Sequence, residues 1–357
     1  MKRKVPYLKL FFFTVPRRRG IAARLAVLSL VLAAIAAAWC LADLTSQVLL
    51  PPQPILALDH YAINRSLKSY LDNISVLIEP SSTVCSDNKR VDVLVLVTSS
   101  PKRFAQRQAI RDTWGKYVPA YFVLGLDGPA VEDLTADNYL EAKAYGDMII
   151  FQFLDHYQNL TLKSALMMQW TAARCPSHLD ELMLFKTDDD VLVNPWVLRR
   201  VVQQNSGKDL IGYRKVNSYL HRDAYNKWYV PRWLHRHDFV PEYLSGTGYL
   251  IKGSRLEEIL QAAFEVPIIN LEDVYFTYIV SKIKLNLTLT HDRRLSPYKP
   301  WLPLDCIYWG LASTHSLTPN EILGAWPSIE RLGKRYEHGF DNCLYFVNNI
   351  WTELYLY

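Results

Sequence analysis

Lys186-Thr187-Asp188-Asp189-Asp190 follows the apolar run Leu182-Met183-Leu184-Phe185. Three adjacent carboxylates at the tip of a buried strand repel one another unless a cation or sugar hydroxyls offset the repulsion. A hard divalent ion, bound through one or two carboxylates and substrate phosphates, suits such a cluster. A solvated acidic turn leading into the next helix would use the same residues. A second acidic pair, Glu272-Asp273, precedes an apolar segment. Acids there can cap a helix, or one can act as a general base. Transfer of a group from a nucleotide-activated donor needs both parts, a charge neutraliser for the departing diphosphate and a proton acceptor. Arg107 and Arg111 lie four apart, on one helical face. With Lys163 they are candidates to meet the diphosphate or nucleotide. Tyr243-Leu-Ser245-Gly246-Thr-Gly248-Tyr249 carries glycines that let backbone approach a ligand or bend a strand. Tyr213, Tyr219, Tyr225, Trp228, Tyr229 and Trp233 suit either stacking on sugar faces or an aromatic core.

The elements needed to hold these groups are legible in the same stretch. Val91 to Val97 is a β-branched run suited to a strand buried on both faces. Lys102 to Trp114 is helix-compatible, Tyr121 to Leu126 and Asp147 to Leu154 read as strands, and Asn159 to Arg174 has helical spacing. Strands alternating with helices imply a largely parallel sheet covered on both faces, an α/β fold. The acidic triplet falls at the carboxyl edge of its fourth strand, where ligands bind in such sheets. Neither a Gly-x-Gly-x-x-Gly nor a Walker phosphate loop occurs.

The formal charge is +5 over 357 residues, but eight basic residues and no acids precede Asp43, so the remainder is mildly acidic. That distribution argues against a nucleic-acid partner. The basic tail leads into the apolar stretch Leu25–Ala42, long enough to span a bilayer, and places its own side in the cytoplasm. A cleavable signal peptide is the rival, with a poor cleavage site between Trp39 and Leu44. The expected organisation is a cytoplasmic tail (1–20), a signal anchor (21–44), a stem (45–88) containing the stiff Pro51-Pro52-Gln53-Pro54, and a lumenal domain (89–357). Sequons at Asn64, Asn73, Asn159 and Asn286 agree with a lumenal location. So does the even set Cys85, Cys175, Cys306 and Cys343, which allows two disulfides in three pairings.

Seven motifs in order carry a resemblance: Arg107-x-x-x-Arg111-x-Thr-Trp114, Tyr121-Phe-Val-Leu-Gly125, Asp155-x-Tyr-x-Asn-Leu-Thr-Leu-Lys163, Trp170-x-x-x-x-Cys175, the triplet through Asn194, Tyr243-x-Ser-Gly-x-Gly-Tyr249 and Glu272-Asp-Val-Tyr275. From about residue 91 to 326 the chain resembles the β1,3-galactosyltransferase and β1,3-N-acetylglucosaminyltransferase family of Golgi type II enzymes. The resemblance implies a GT-A fold, a UDP-sugar donor, Mn²⁺, and inversion at the anomeric carbon onto the 3-hydroxyl of an acceptor glycan. That acceptor could be carried on a glycoprotein, glycolipid or proteoglycan. It makes Asp273 the base, Asp190 and His315 the metal ligands, and places Asp188 and Asp189 beside the nucleoside and sugar; His291 is the competing histidine. Tyr243, Ser245, Gly246, Gly248 and Glu272 become acceptor-side candidates. Galactose is the favoured donor and N-acetylglucosamine the alternative. A silent lectin or chaperone relative is the rival from another class, and assembly with itself or another transferase is left open. Two departures stand out: Phe276-Thr277 where the family usually has glycine, and Leu192 where it has an aromatic residue.

Overall fold

The computed structural model describes residues 17–49, 56–86, 91–339 and 343, in two compact units that divide between Pro54 and Ile55. The basic residues before Arg17 and the Pro51–Pro54 spacer lie outside the described residues. The first unit holds α1 (Arg17–Leu49), whose segment Ala23–Leu41 is long and apolar enough to cross a membrane. With the disulfides Cys85–Cys175 and Cys306–Cys343, that helix points to a membrane-anchored protein of the secretory pathway.

The second unit opens with α2 (Leu56–Ile63), α3 (Leu67–Leu71) and β1 (Val76–Ile78). The α/β alternation follows: β2 (Val93–Thr98), α4 (Phe104–Asp112), β3 (Ala120–Leu126), α5 (Ala136–Tyr145), β4 (Met148–Leu154), α6 (Leu160–Arg174) and β5 (Met183–Asp188). All the elements expected between residues 91 and 188 form. After the triplet come β6 (Leu192–Val193), α7 (Pro195–Gln204), β7 (Leu210–Tyr219), β8 (Phe239–Lys252) and α8 (Leu256–Phe264). A π-helix (Val274–Lys284), β9 (Leu289–His291), β10 (Leu295–Ser296), α9 (Asp305–Gly310), β11 (Ser313–Thr314) and α10 (Pro319–Glu337) complete the unit.

The main sheet has the order β1-β4-β3-β2-β5-β8-β7-β9. Strands β4, β3, β2 and β5 are mutually parallel, while β8 runs antiparallel to β5. Alternate residues divide its core. Leu94, Leu96 and Leu184 face Leu162, Leu166 and Ile259 of α6 and α8. Val93, Val95 and Phe185 face Ile110, Val197 and Trp326 of α4, α7 and α10. Burial on both faces is why these strands read as continuous apolar runs.

The expected stem does not survive as a unit apart from the domain. Tyr61 is 0% exposed, and its hydroxyl donates to Gln158 O at 3.2 Å and Asn159 Oδ1 at 3.3 Å. β1 pairs antiparallel with β4, and Cys85 is bonded to Cys175 at the end of α6. The surface that receives Leu58, Leu67 and Leu71 is built from α6 and α8, far along the chain, so the local pattern gives no sign of it. Asn159 is also corrected as a glycan acceptor. It is buried, with its Nδ2 donating to Leu154 O at 3.0 Å, whereas Asn73 and Asn286 are exposed and Asn64 is half-buried.

Candidate active site

Strand β5 carries the acidic triplet out at the carboxyl edge of the sheet, between β2 and β8. Thr98 lies beside Asp188 in the parallel register and donates its hydroxyl to Asp188 Oδ1 at 2.6 Å. Ser99 and Arg103 both bind Asp189 Oδ2, at 2.7 and 2.8 Å, and a second guanidinium nitrogen meets Oδ1 at 2.7 Å. Asp189 is therefore tied to the β2–α4 loop. Burial would raise the Asp188 carboxyl, but Lys186, aided by Thr98, outweighs it and holds the group below the usual carboxylate range.

His315 reaches Asp190 through the small sheet β10-β11-β6. Thr314 pairs with Leu192 in antiparallel register, and the Leu317 N–H donates to Asp190 O at 3.0 Å, so the chain after β11 lies along the end of the triplet. His315 Nε2 stands 3.3 Å from Asp190 Oδ1, while Nδ1 is hydrogen-bonded to the Ser316 hydroxyl at 2.8 Å. Ser316 adopts a left-handed φ of 67°, a conformation that side chains other than glycine seldom take and that recurs at functional sites. One ligand atom each from Asp188, Asp190 and His315 lies within 4.8 Å of the others. Asp190 Oδ1 is buried and makes no hydrogen bond among the described residues. Burial and the neighbouring Asp188 charge push its carboxyl up, against the pull of His315. A buried oxygen without a hydrogen bond, beside a carboxylate and an oriented imidazole, fits a divalent cation with oxygen and nitrogen ligands.

Asp273 lies on the other side of β5, at the start of the π-helix. Its Oδ2 accepts the Gly246 N–H of β8 at 3.0 Å, and its Oδ1 accepts the Val274 N–H at 2.8 Å. A Cβ at Gly246 would come within 2.9 Å of Glu272 Oε1 and 3.2 Å of Asp273 Oδ2, so the absence of a side chain allows this approach. Burial pushes the Asp273 carboxyl up, against the two N–H bonds. Burial and then the Asp273 charge also push the Tyr243 hydroxyl up to about 12. Raised basicity in a half-buried carboxylate suits a proton acceptor.

A galactosyltransferase family profile matches residues 105–291, just over half of the chain. The chain belongs to the galactosyltransferase family. Human beta-1,3-galactosyltransferase 5 is 30% identical over 248 residues, 67% of this chain and 78% of that protein. A human acetylgalactosaminyl-O-glycosyl-glycoprotein beta-1,3-N-acetylglucosaminyltransferase is 31% identical over 265 residues, 69% and 68% of the two chains. A solved glycosyltransferase involved in glycosylating the major capsid of PBCV-1 aligns at 12% identity and a TM-score of 0.35, over 66% of this chain and 98% of its own. This galactosyltransferase-family chain is thus a β1,3-glycosyltransferase by family, with sugar donor and acceptor substrates.

Several residues expected at the donor have other partners in this family member. Arg107 is fully buried, paired with Glu141 at 2.6 Å and bound to Ser99 Oγ at 3.0 Å and Ser100 O at 2.6 Å. It braces the loop that carries Ser99 and Arg103. Arg111 pairs with Glu141 and Asp147 over the Tyr145 ring. Lys163 is buried, with Asp155 and Ser99 O each at 2.6 Å. Glu272, expected on the acceptor side, is buried against Lys186 and Tyr249. Gly248 packs on Phe185, and the Ser245 hydroxyl lies 3.3 Å from that of Thr247. The competing His291 accepts the Arg214 N–H at 3.0 Å on an edge strand. Tyr219, Tyr225, Trp228 and Trp233 are exposed rather than core. Arg103, Thr98, Ser99 and Lys186 were not foreseen. Lys186 alone left a signal, because a lysine near the end of a buried strand must find carboxylates. A cavity of about 620 Å³, lined by Asp92, Asp180, Arg199 and Lys252, opens at the opposite end of β5 and takes no part in this site.

Proposed function

We propose that the protein is an inverting β1,3-galactosyltransferase of the Golgi membrane, a single-pass type II protein whose domain faces the lumen. UDP-galactose is its donor and a glycan 3-hydroxyl its acceptor. The observation that carries this reading is the pair of acidic centres at the carboxyl end of β5 and beside the adjoining β8. One is the Asp188–Asp190–His315 group, and the other is Asp273 with its two N–H contacts. Asp190 and His315, with Asp188 beside them, would hold Mn²⁺, which neutralises charge on the departing diphosphate when bound. Asp273 accepts the proton of the acceptor 3-hydroxyl as that oxygen bonds to the anomeric carbon. The carbon–oxygen bond to UDP breaks on the opposite face, so an α-linked donor gives a β product. Arg103 and Ser99 hold Asp189 against the sheet so that the donor meets a fixed edge. The exposed Trp228 and Tyr157 offer aromatic surface to the acceptor. The Tyr157 ring is 37% exposed but its hydroxyl end points inward, where burial, followed by the charges of Asp273 and Asp188, raises the hydroxyl.

N-acetylglucosamine is the second reading, favoured by the 31% identity to a human enzyme of that description. A donor screen on the full chain in detergent, with Mn²⁺ and separate UDP-sugars, tests both. UDP release from UDP-galactose in the presence of a sugar acceptor is the expected outcome. Release from UDP-N-acetylglucosamine instead would move the assignment to the second reading. Folded protein with neither metal-dependent UDP binding nor turnover would reject both and favour a silent relative.

A further inference from the structure

Lys186 is a buried cation, with its side chain 4% exposed, between the two acidic centres. Its Nζ lies 3.0 Å from Asp188 Oδ1 and 2.8 Å from Glu272 Oε1, and donates to Gly246 O at 2.5 Å. Each partner leads to a site group. Thr98 donates to the same oxygen of Asp188, so both donors fall on Oδ1 and the carboxylate is presented through its other oxygen. Gly246, whose carbonyl meets Lys186, gives its N–H to Asp273. Glu272 immediately precedes Asp273, and its other oxygen accepts the Tyr249 hydroxyl at 2.8 Å. Tyr249 is the residue opposite Lys186 in the β5–β8 ladder. An apolar side chain of similar volume would fill this space without the desolvation cost of an ion triad. The cation is thus explained by what it aligns rather than by stability.

We infer that Lys186 is a positioning residue, which sets the Asp188 and Asp273 carboxylates at a fixed separation across the β5–β8 ladder through Glu272 and the Gly246 peptide. The inference rests on the reading of those carboxylates as the donor-side and base-side groups. Removing the lysine alone would strand the buried Glu272 beside the part-exposed Asp188. The informative variant is therefore the paired Lys186→Met/Glu272→Met, which leaves the net charge unchanged and Asp188 with its Thr98 donor and solvent.

The full chain in detergent is assayed for melting temperature, Mn²⁺-dependent UDP binding by calorimetry, and kcat and KM. The paired variant is expected to melt within a few degrees of the unaltered protein. Its kcat should fall about 100-fold, as for misplacement on the scale of 1 Å, with the acceptor KM within about twofold. UDP–Mn²⁺ affinity should weaken about tenfold, as when an outer support of a metal ligand is lost. Unchanged kcat and UDP affinity, within about threefold, in a well-folded paired variant would overturn the inference and leave Lys186 an ordinary core ion. If the paired variant does not fold, Glu272→Gln carries the test. It retains an acceptor for Lys186 without the charge, and a tenfold loss of kcat is expected; a change below about threefold overturns the inference. Absence of metal-dependent UDP binding and turnover in the unaltered chain would instead defeat the functional reading and this inference together.

Discussion

The role proposed for Asp273 rests on its surroundings. Its oxygens are fixed by the Gly246 and Val274 N–H groups, while burial raises its proton affinity. Asp273→Asn keeps the shape and removes the proton acceptor. Turnover should fall about 10²- to 10⁴-fold, with UDP–Mn²⁺ binding unchanged by calorimetry; retained turnover would remove Asp273 from the base position. The raised pKa also sets the direction of the pH response. The base must be ionised, so kcat/KM should rise with pH through a value above the usual aspartate range and level off beyond it. A profile flat down to pH 4 would contradict this. At the same scale, the three carboxylates of the triplet are unlike one another. Asp188 is held by Lys186 and Thr98, Asp189 by Arg103 and Ser99, and Asp190 keeps a buried oxygen without a hydrogen bond.

Among the elements, the π-helix is joined directly to the site, because Asp273 caps its start. Thr277, buried where the family usually has glycine, donates its hydroxyl to Asp273 O at 2.6 Å and accepts the Leu244 N–H at 3.0 Å. One side chain thus clips the first turn of the π-helix to β8, and π-turns are frequent at functional positions. Thr277→Val keeps the volume but leaves the Leu244 N–H buried and unpaired, so a loss of about 1–3 kcal/mol in stability is expected from denaturant unfolding. Thr277→Ser should be close to neutral; equal losses in the two variants would mean that packing matters and the hydroxyl does not. The pairing of β6 with β11 is the other decisive element. Its two-residue register, rather than any local feature of Ala312–Ser316, brings His315 to Asp190 while His291 stays on an edge strand.

At the scale of the whole molecule, the domain includes what had the look of a spacer. A chain beginning at residue 89 loses α2, α3, β1 and the Cys85–Cys175 bond, and exposes the surfaces of α6 and α8 that they cover. It should be secreted poorly or aggregate, whereas one beginning at residue 55 should yield folded protein, as judged by gel filtration; equal yields would separate the segment from the domain. The buried Arg107–Glu141–Arg111 cluster ties α4 to α5 and gives the domain an acid-sensitive joint. Burial alone would raise the Glu141 carboxyl, but both guanidiniums outweigh it and hold the group below the usual range. Its contribution is therefore complete above the ordinary glutamate value, about 4.3, and is lost as pH falls through the lower folded value. Glu141→Gln should destabilise by about 3–5 kcal/mol near neutral pH, because Arg107 is left buried without its partner. The gap in melting temperature between variant and unaltered protein should narrow as pH drops below about 4.3, and a constant gap would assign the loss to shape instead of charge.

The residue order alone determined the α/β alternation from 91 to 188, the acidic triplet at a strand's carboxyl edge, the apolar N-terminal segment and the family. Each depends on local period or on short motifs, which a linear reading captures. Tertiary structure decided which charges were already engaged. Arg107, Arg111, Lys163 and Glu272 have the residue types of ligand-binding groups, but folding brings carboxylates or main-chain oxygens to the basic three and Lys186 to Glu272. It also selected one disulfide pairing from three, chose His315 over His291 as the neighbour of Asp190, and buried Asn159 and Tyr61. These outcomes share a physical cause: a polar side chain's role is set by the partner that the folded chain places within about 3 Å of it, and for Arg107, Arg111, Glu272 and His315 that partner lies far away along the chain.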